Sequence, residues 1–470
     1  MTQRTIEHLT LEQRRARGKE ARDRAPRSSW EGWSPRPDRP DPTGLLETQN
    51  TTREPDLVPV RHGRMMVSPF TFYRGGAKIM AADLQHAPRA GLEVQLCGDA
   101  HLSNFGVFAS PERTLLFDLN DFDETLPGPF EYDIARLAAS FVIAARNNGF
   151  TSDDTRAVTM ESVTAYLTAM RGFAKMSTLD VWYSRLDPEG ALAEVAASGS
   201  KDRRKLATRG EKVLTKARTK NSLQALSKLT RVVDGRHEII SDPPVLIPGR
   251  ELLAAQGRSP DELREQLQGM LRAYRSTLSA DRRRLLERFE FVDFARKVVG
   301  VGSVGTRAWI ALLQGRDADD PLFLQVKEAT SSVLEDHLPK SAHKQPGERV
   351  VQGQRLMQAA SDIFLGWTKG IDASRFYYWR QLRDMKGSVE VESMVPTGMT
   401  FYAGLCGWTL ARAHARSGDP VAIAAYLGSN DRFGRSMTEF AERYADQNER
   451  DYEAFVAAIG SGRLEAVEGV

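Results

Sequence analysis

Residues Val94–Asp123 read VQLCGDAHLSNFGVFASPERTLLFDLNDFD, and the reading of this stretch decides the fold. A short apolar run, Val94–Cys97, has the character of a buried strand. Gly98 breaks it, and Asp99, His101 and Asn104 follow at once. A second apolar run, Leu115–Phe117, leads into Asp118, Asn120, Asp121, Asp123 and Glu124. Two strands that deliver acids and amides at their ends predict a site for a hard divalent cation. Mg²⁺ takes oxygen ligands, usually one or two carboxylates together with substrate phosphates. Any single Gly, Asp or Asn here is ordinary turn chemistry. The ordered set points to a metal–phosphate site, with a purely structural loop as the competing reading.

The second informative stretch is Phe291–Ser332, FVDFARKVVGVGSVGTRAWIALLQGRDADDPLFLQVKEATSS. Gly300, Gly302 and Gly305, with Ser303 among them, lie between two β-rich runs. A dinucleotide-binding version of this spacing would open a helix. Here Arg307–Leu313 reads as a strand, so the prediction is a glycine-rich hairpin whose backbone covers phosphates. The β-run LFLQVKEA carries one inward cation candidate, Lys327, suited to the same phosphates. An edge-strand solubility charge is the plain alternative. The run GERVVQGQRLMQAASD has helix period, and Glu348, or alternatively Glu335, is the expected partner of Lys327. Next, IFLGWTKG and FYYWRQLRDMKGS read as hairpin strands, with Arg380, Gln381, Arg383 and Lys386 near their exit.

Asp99 and Asn104 have the Asp-x-x-x-x-Asn spacing of kinase catalytic loops, where the Asp orients the attacking hydroxyl and the Asn holds metal. The stretch resembles the Gly-Asp-x-His-x-x-Asn loop of aminoglycoside and choline phosphotransferases. That resemblance implies Asp99 and His101 as catalytic-loop residues, His101 chiefly supporting the loop, and Asn104 as a metal ligand. It also implies a metal-binding Asp at the end of the next strand and a bracing Asp at a helix start about a dozen residues later. Asp133-Ile134-Ala135 stands at that separation from Asp121, which favours Asp121 over Asp118 as the ligand. Cys97 departs from the pattern, since those families carry His before Gly-Asp.

Through CGDAHLSNFG, FDLNDFDET, GVGSVGTR and FYYWRQLRDMKGS the chain is identified as a member of an uncharacterised bacterial family, domain of unknown function 2252. The family is grouped with protein-kinase-like folds. The resemblance implies an α+β, two-lobed protein-kinase-like fold that uses ATP and Mg²⁺ to phosphorylate an unknown hydroxyl acceptor, a small molecule or a protein. The glycine-rich loop and Lys327 follow the Asp99 loop instead of preceding it, so the fold would be circularly permuted and carry a helical insertion. An unpermuted version would give the phosphate role to Lys78. Transfer of AMP to a protein, or a catalytically silent nucleotide-binding scaffold, are the alternative functions. A two-metal phosphoesterase shares the Gly-Asp-x-His turn, but its upstream Asp-x-His and downstream Gly-Asn-His are missing.

At 470 residues with a 41% hydrophobic fraction, the chain has ample core for two or three lobes. No apolar run is long enough to span a bilayer, and the charged amino terminus lacks the apolar core of a signal peptide. Two cysteines imply no disulfide framework. A cytoplasmic protein without a membrane partner is expected. The charge of +3 does not by itself predict a nucleic-acid partner. Residues 1–60 read as an arm, a charged helix followed by a Pro- and Ser-rich segment that Trp30 and Trp33 could pin down. Residues 61–150 hold the catalytic loop, with Asp133 and Arg136 spaced to pair or cap. Residues 151–290 read as the helical insertion. Its basic stretch near 201–231 is a solvated face or a contact for RNA or polyphosphate. Residues 291–390 form the small β-rich lobe, and 391–470 the closing helices.

Overall fold

The structure is a computed structural model that describes residues 8–197, 200–256, 260–298, 300–382 and 384–469. Arg383 lies outside the described residues. Four short strands carry the acid-rich stretch: β1 (Glu93–Leu96), β2 (Phe105–Ala109), β3 (Leu115–Leu119) and β4 (Leu126–Pro129). β1 pairs with β4 and β2 with β3, both antiparallel. Every residue of β2 and β3 is buried, which explains why their sequences are apolar runs without alternation.

Helix Glu131–Asn147 follows β4 and is buried from Glu131 to Ala145. It is a central helix more than an amphipathic one, because Ala, Ile, Leu, Val and Phe occupy most of its circumference. Helices Ser152–Phe173, Pro396–Ser417 and Arg432–Gly460 pack around it. Gly407 sets the close approach of two of them. A Cβ there would meet the Ser162 carbonyl oxygen at 2.1 Å.

The second sheet is larger. After a small hairpin of β5 (Thr230–Val233) and β6 (Arg236–Ile239) come β7 (Leu246–Pro248), β8 (Glu290–Lys297), β9 (Ala308–Gln314), β10 (Pro321–Ala329), β11 (Gly366–Lys369) and β12 (Phe376–Gln381). These six form one sheet in the order β11-β12-β10-β9-β8-β7, antiparallel throughout. Strand alternation sorts its side chains onto two faces. Ala311, Leu313, Leu322, Leu324, Val326 and Trp379 form one face, packed under Tyr274 and Leu278. Ala295, Ile310, Leu312 and Phe323 form the other, packed under Ala225, Leu226 and Leu229 of helix Ser222–Leu229. Lys327 lies on this second face, opposite Ala308 on β9 and Tyr378 on β12.

Two of the expected divisions are corrected. Residues 8–60 are not a separate arm. Helix Leu11–Arg24 packs on helix Pro420–Leu427, Trp30 is fully buried edge-on to Phe440 at 4.9 Å, and Arg39 pairs with both Asp83 and Asp451 at 2.6 Å. A segment too polar for its own core is held by aromatic and arginine anchors in its neighbour's. Residues 151–290 are likewise not one insertion. Ser152–Phe173 belongs to the helical body, whereas β7 and helix Pro260–Arg275 belong to the six-stranded sheet and its cover. Among the described residues no helix is long and apolar enough to cross a membrane.

Candidate functional site

A cleft of about 520 Å³ lies where the acid-rich stretch meets the glycine-rich loop. Asp99, His101, Asn104, Asp121, Asp123 and Glu124 line one side, and Gly300, Gly302 and Ser303 line another. Residues Thr48–Arg53 and Arg74–Lys78 contribute a third wall.

The Asp99 loop is fixed from beneath. Asp133 accepts hydrogen bonds from the backbone N–H groups of Cys97 (2.6 Å) and Gly98 (2.9 Å). Gly98 is required there. Its φ is +84°, and a Cβ would meet the Glu124 carbonyl oxygen at 2.2 Å. Asp133 and Arg136 do not pair with each other, as their spacing suggested. Arg136 donates from Nε to Asp99 Oδ1 at 2.8 Å and from Nη2 to the Tyr73 carbonyl at 2.7 Å, and its guanidinium stacks 3.8 Å from the Tyr73 ring. Both side chains of this helix start are therefore spent on the loop. Asn104 donates from Nδ2 to the Asp99 carbonyl at 2.6 Å, so its amide oxygen is the atom left for a ligand. The Cys97 thiol contacts the Asp121 carbonyl oxygen at 3.1 Å and ties the two halves of the stretch together. This is how the loop is supported without the usual histidine.

His101 is almost fully buried, with Nε2 3.8 Å from Asp99 Oδ2 and Nδ1 without a hydrogen-bond partner. Burial, reinforced by Arg136 and Arg74, pushes its pKa well below the usual histidine range. The neutral ring is the form this environment favours.

Lys327 crosses from the large sheet to the acid-rich stretch. Its Nζ lies 2.9 Å from Asp123 Oδ2 and 3.5 Å from Asp121 Oδ2. Tyr378 donates its hydroxyl to Asp123 Oδ1 at 2.6 Å. Burial raises both carboxylates. Asp123 repels Asp121 and leaves it above its usual pKa, while Lys327 and Tyr378 overcome burial at Asp123 and hold it below. Despite its own burial, Lys327 stays charged because it faces Asp121 and Asp123. The expected helix partners are corrected. Glu348 sits 3.6 Å from His343, and Glu335 accepts the N–H groups of Ser332 (3.0 Å) and Ser341 (3.2 Å). The carboxylates after β3 reach Lys327 where neither glutamate does. Glu124 lines the same cleft, accepts the Val333 N–H at 2.7 Å and is pushed up to about 7, chiefly by burial.

Asp118, named as an alternative metal ligand, is not in the cleft. It is buried inside β3, paired with Arg412, and accepts the N–H groups of Ala359 (2.8 Å) and Leu119 (2.9 Å). The chain is still a strand at Asp118 and turns toward the cleft only afterwards. Gly305 is also absent from the cleft. Its carbonyl accepts the Glu54 N–H at 2.7 Å, its φ is +87°, and a Cβ would press on Arg53 at 3.1 Å. This glycine seats the loop on residues 53–54. Lys78 pairs with Asp336 at 2.8 Å on the cleft rim.

Two further cations belong to the wall: Arg74, which the sequence marks as able to meet a phosphate or pair with a carboxylate, and Arg53, which it does not mark. Arg53 is buried, hydrogen-bonds the Val304 carbonyl and has no carboxylate partner among the described residues. Arg74 lines the cleft with its buried Nε unpartnered. Arg74 stands in Arg74-Gly75-Gly76, just upstream of the acid-rich stretch, whereas Arg53 lies in a segment without a local motif. Among the described residues no group of three or more His, Cys, Asp and Glu side chains is arranged to hold a metal ion. A Mg²⁺ that keeps several waters and takes one carboxylate plus donor phosphates needs no such cage. The Asn104 amide oxygen and the Asp121 carboxylate line the cleft and are oxygen donors of the type such an ion would take.

Comparison with known proteins identifies the family. Residues 53–458 match the family described as an uncharacterized protein conserved in bacteria (DUF2252), and the chain belongs to it. No curated protein and no solved structure matches the chain.

Proposed function

We propose that this family member is a Mg²⁺-dependent phosphotransferase with a permuted kinase-like arrangement, taking ATP as donor and a hydroxyl group as acceptor. The observation that carries the reading is the ion pair of Lys327 with Asp121 and Asp123. It joins two stretches far apart in sequence at one cleft, where Asp99 and the glycine-rich loop also lie. The order of the large sheet agrees with it: glycine-rich hairpin, lysine strand, helix Pro346–Met357, then two strands.

In this reading Asp99 accepts the hydrogen bond of the acceptor hydroxyl and takes its proton as the oxygen bonds to the γ-phosphorus of ATP, the bond from that phosphorus to the β,γ-bridging oxygen breaks, and ADP leaves. Arg136 holds the Asp99 carboxylate by one oxygen and leaves the other free to face the acceptor. Asp133 keeps the loop backbone in place beneath it. Lys327 and the backbone of Gly300–Ser303 hold the donor phosphates, and Asn104 and Asp121 hold the metal. Bound Mg²⁺ supplies charge neutralisation at those phosphates. The protein's work is positioning and electrostatics, which is what phosphoryl transfer requires.

Asp99→Asn is the test, read by slow hydrolysis of labelled ATP with water as acceptor. Turnover falls by about 10²–10⁴-fold. Binding of a non-hydrolysable ATP analogue stays within about threefold, a difference of under 1 kcal/mol. Loss of folding together with loss of binding would make the loop structural and contradict the proposal.

A further inference from the structure

The phosphate half of a nucleotide has an obvious place in this cleft; the base does not. A base or other flat ring is normally held in a slot lined mainly by apolar and aromatic side chains. No Phe, Tyr or Trp lines the cleft among the described residues. Behind Lys327 the way is closed. Gln325, two residues along on the same face, accepts from Arg380 Nε at 3.1 Å, and Arg380 Nη1 donates to the Asn120 carbonyl at 2.9 Å. This polar bridge spans from the sheet to the end of β3. Beyond it, Ile310, Leu312 and Phe323 already lie under Leu226 and Leu229. The apolar surface that could have stacked a base is covered by the chain's own helix Ser222–Leu229.

What remains open in this cleft is polar, with Arg53, Arg74 and Lys78 set beside six carboxylates whose charge a bound Mg²⁺ would offset. The cleft wall carries Arg53 and Arg74, neither with a carboxylate partner among the described residues, and Lys78, paired with Asp336; Lys327 lies buried behind Asp121 and Asp123. Thr51, Thr52 and Ser331 supply hydroxyl groups beside them. Hydroxyls and guanidinium groups suit phosphate oxygens.

We propose, on the basis of the phosphotransferase reading above, that the donor is recognised through its phosphate chain alone. Inorganic tripolyphosphate and nucleoside triphosphates of any base then occupy one cleft with similar affinity, the nucleoside projecting outward. The occupant class is a linear phosphoanhydride with its Mg²⁺.

The experiment is calorimetric titration of the full chain with Mg²⁺-tripolyphosphate and with the non-hydrolysable analogues of ATP and GTP. The three dissociation constants are expected within threefold of each other, and Arg74→Ala weakens all three alike. An ATP analogue that binds tenfold or more tightly than tripolyphosphate or the GTP analogue overturns the inference and leaves the phosphotransferase reading standing. No binding by any of the three to folded protein overturns both.

Discussion

Asp118 and Asp123 lie close together on one segment, yet their surroundings are opposite. Asp118 is sealed inside β3 between Arg412 and two backbone N–H groups. Asp123 is partly exposed at a cleft, where it shares a single lysine with Asp121. The first carboxylate has every oxygen satisfied by protein, so nothing is left for a ligand. The second pair faces Lys327 and Arg380 yet keeps oxygens open to the cleft, and burial together with Asp123 keeps Asp121 above its usual pKa. A carboxylate that the fold fully satisfies serves the fold. One left under-compensated at an opening is available to a metal or a substrate.

The sharpest way to break this contrast is to remove the cation of the closed pair. Arg412→Met leaves Asp118 buried without its counter-charge and costs about 3–5 kcal/mol in denaturant unfolding. Adding Asp118→Asn to it recovers a large part of that loss, because the uncompensated charge is gone. If Arg412→Met were nearly neutral, Asp118 would not be the structural member of the two.

Glu131 extends the contrast to a closed acid without a cation. It is fully buried, accepts the Ala90 N–H at 2.7 Å, has one oxygen unpartnered, and is pushed up to about 7 by burial. An acid whose folded pKa exceeds its unfolded value binds its proton more tightly in the folded state. Its contribution to stability is therefore intact below the unfolded pKa and is lost as pH rises toward 7. Glu131→Gln keeps the shape and does not titrate. It is expected to exceed wild type at pH 8 by up to about 3 kcal/mol, with the difference closing by about pH 4. Thermal melts across this range read it directly, and a pH-independent difference would contradict the assignment.

The smallest effect is expected at the rim. Lys78 pairs with a largely exposed Asp336. Lys78→Ala changes stability by less than about 1 kcal/mol. It also changes phosphate binding by less than threefold, whereas a Lys78 in the phosphate role would lose far more.

Much of this site is legible in the sequence because its parts are local. Asp99, Asn104 and Asp121 are marked by strand ends and short spacing, and the glycine hairpin by the strands that flank it. Asp133 is marked as a brace by the resemblance to kinase-like loops, and its bonds to the Cys97 and Gly98 N–H groups agree with that. The remainder depends on contacts between distant segments, which no window reveals. Arg136 reads as a helix-surface partner for Asp133 until the loop is folded over it. Arg53 and the Thr48–Thr52 wall belong to a segment whose composition suggests a loose arm, and only Trp30 hints that it is pinned. The sequence order points to Glu348 or Glu335 as the partner of Lys327, but the acids after β3 lie nearer. The covering of the Lys327 face by Leu226 and Leu229 depends on a helix lying some hundred residues before that strand.

The central claim is that the Asp121 segment and the Lys327 strand make one phosphate–metal site. The most direct measurement is calorimetric titration of a non-hydrolysable ATP analogue, with and without Mg²⁺, into wild type, Asp121→Asn, Lys327→Met and the double variant. The account predicts Mg²⁺-dependent binding that each single change weakens by about tenfold or more. The double variant then loses less than the sum of the two in free energy, since the residues are in contact. Absence of binding to folded wild type, or weakening by only one of the two changes, would contradict it.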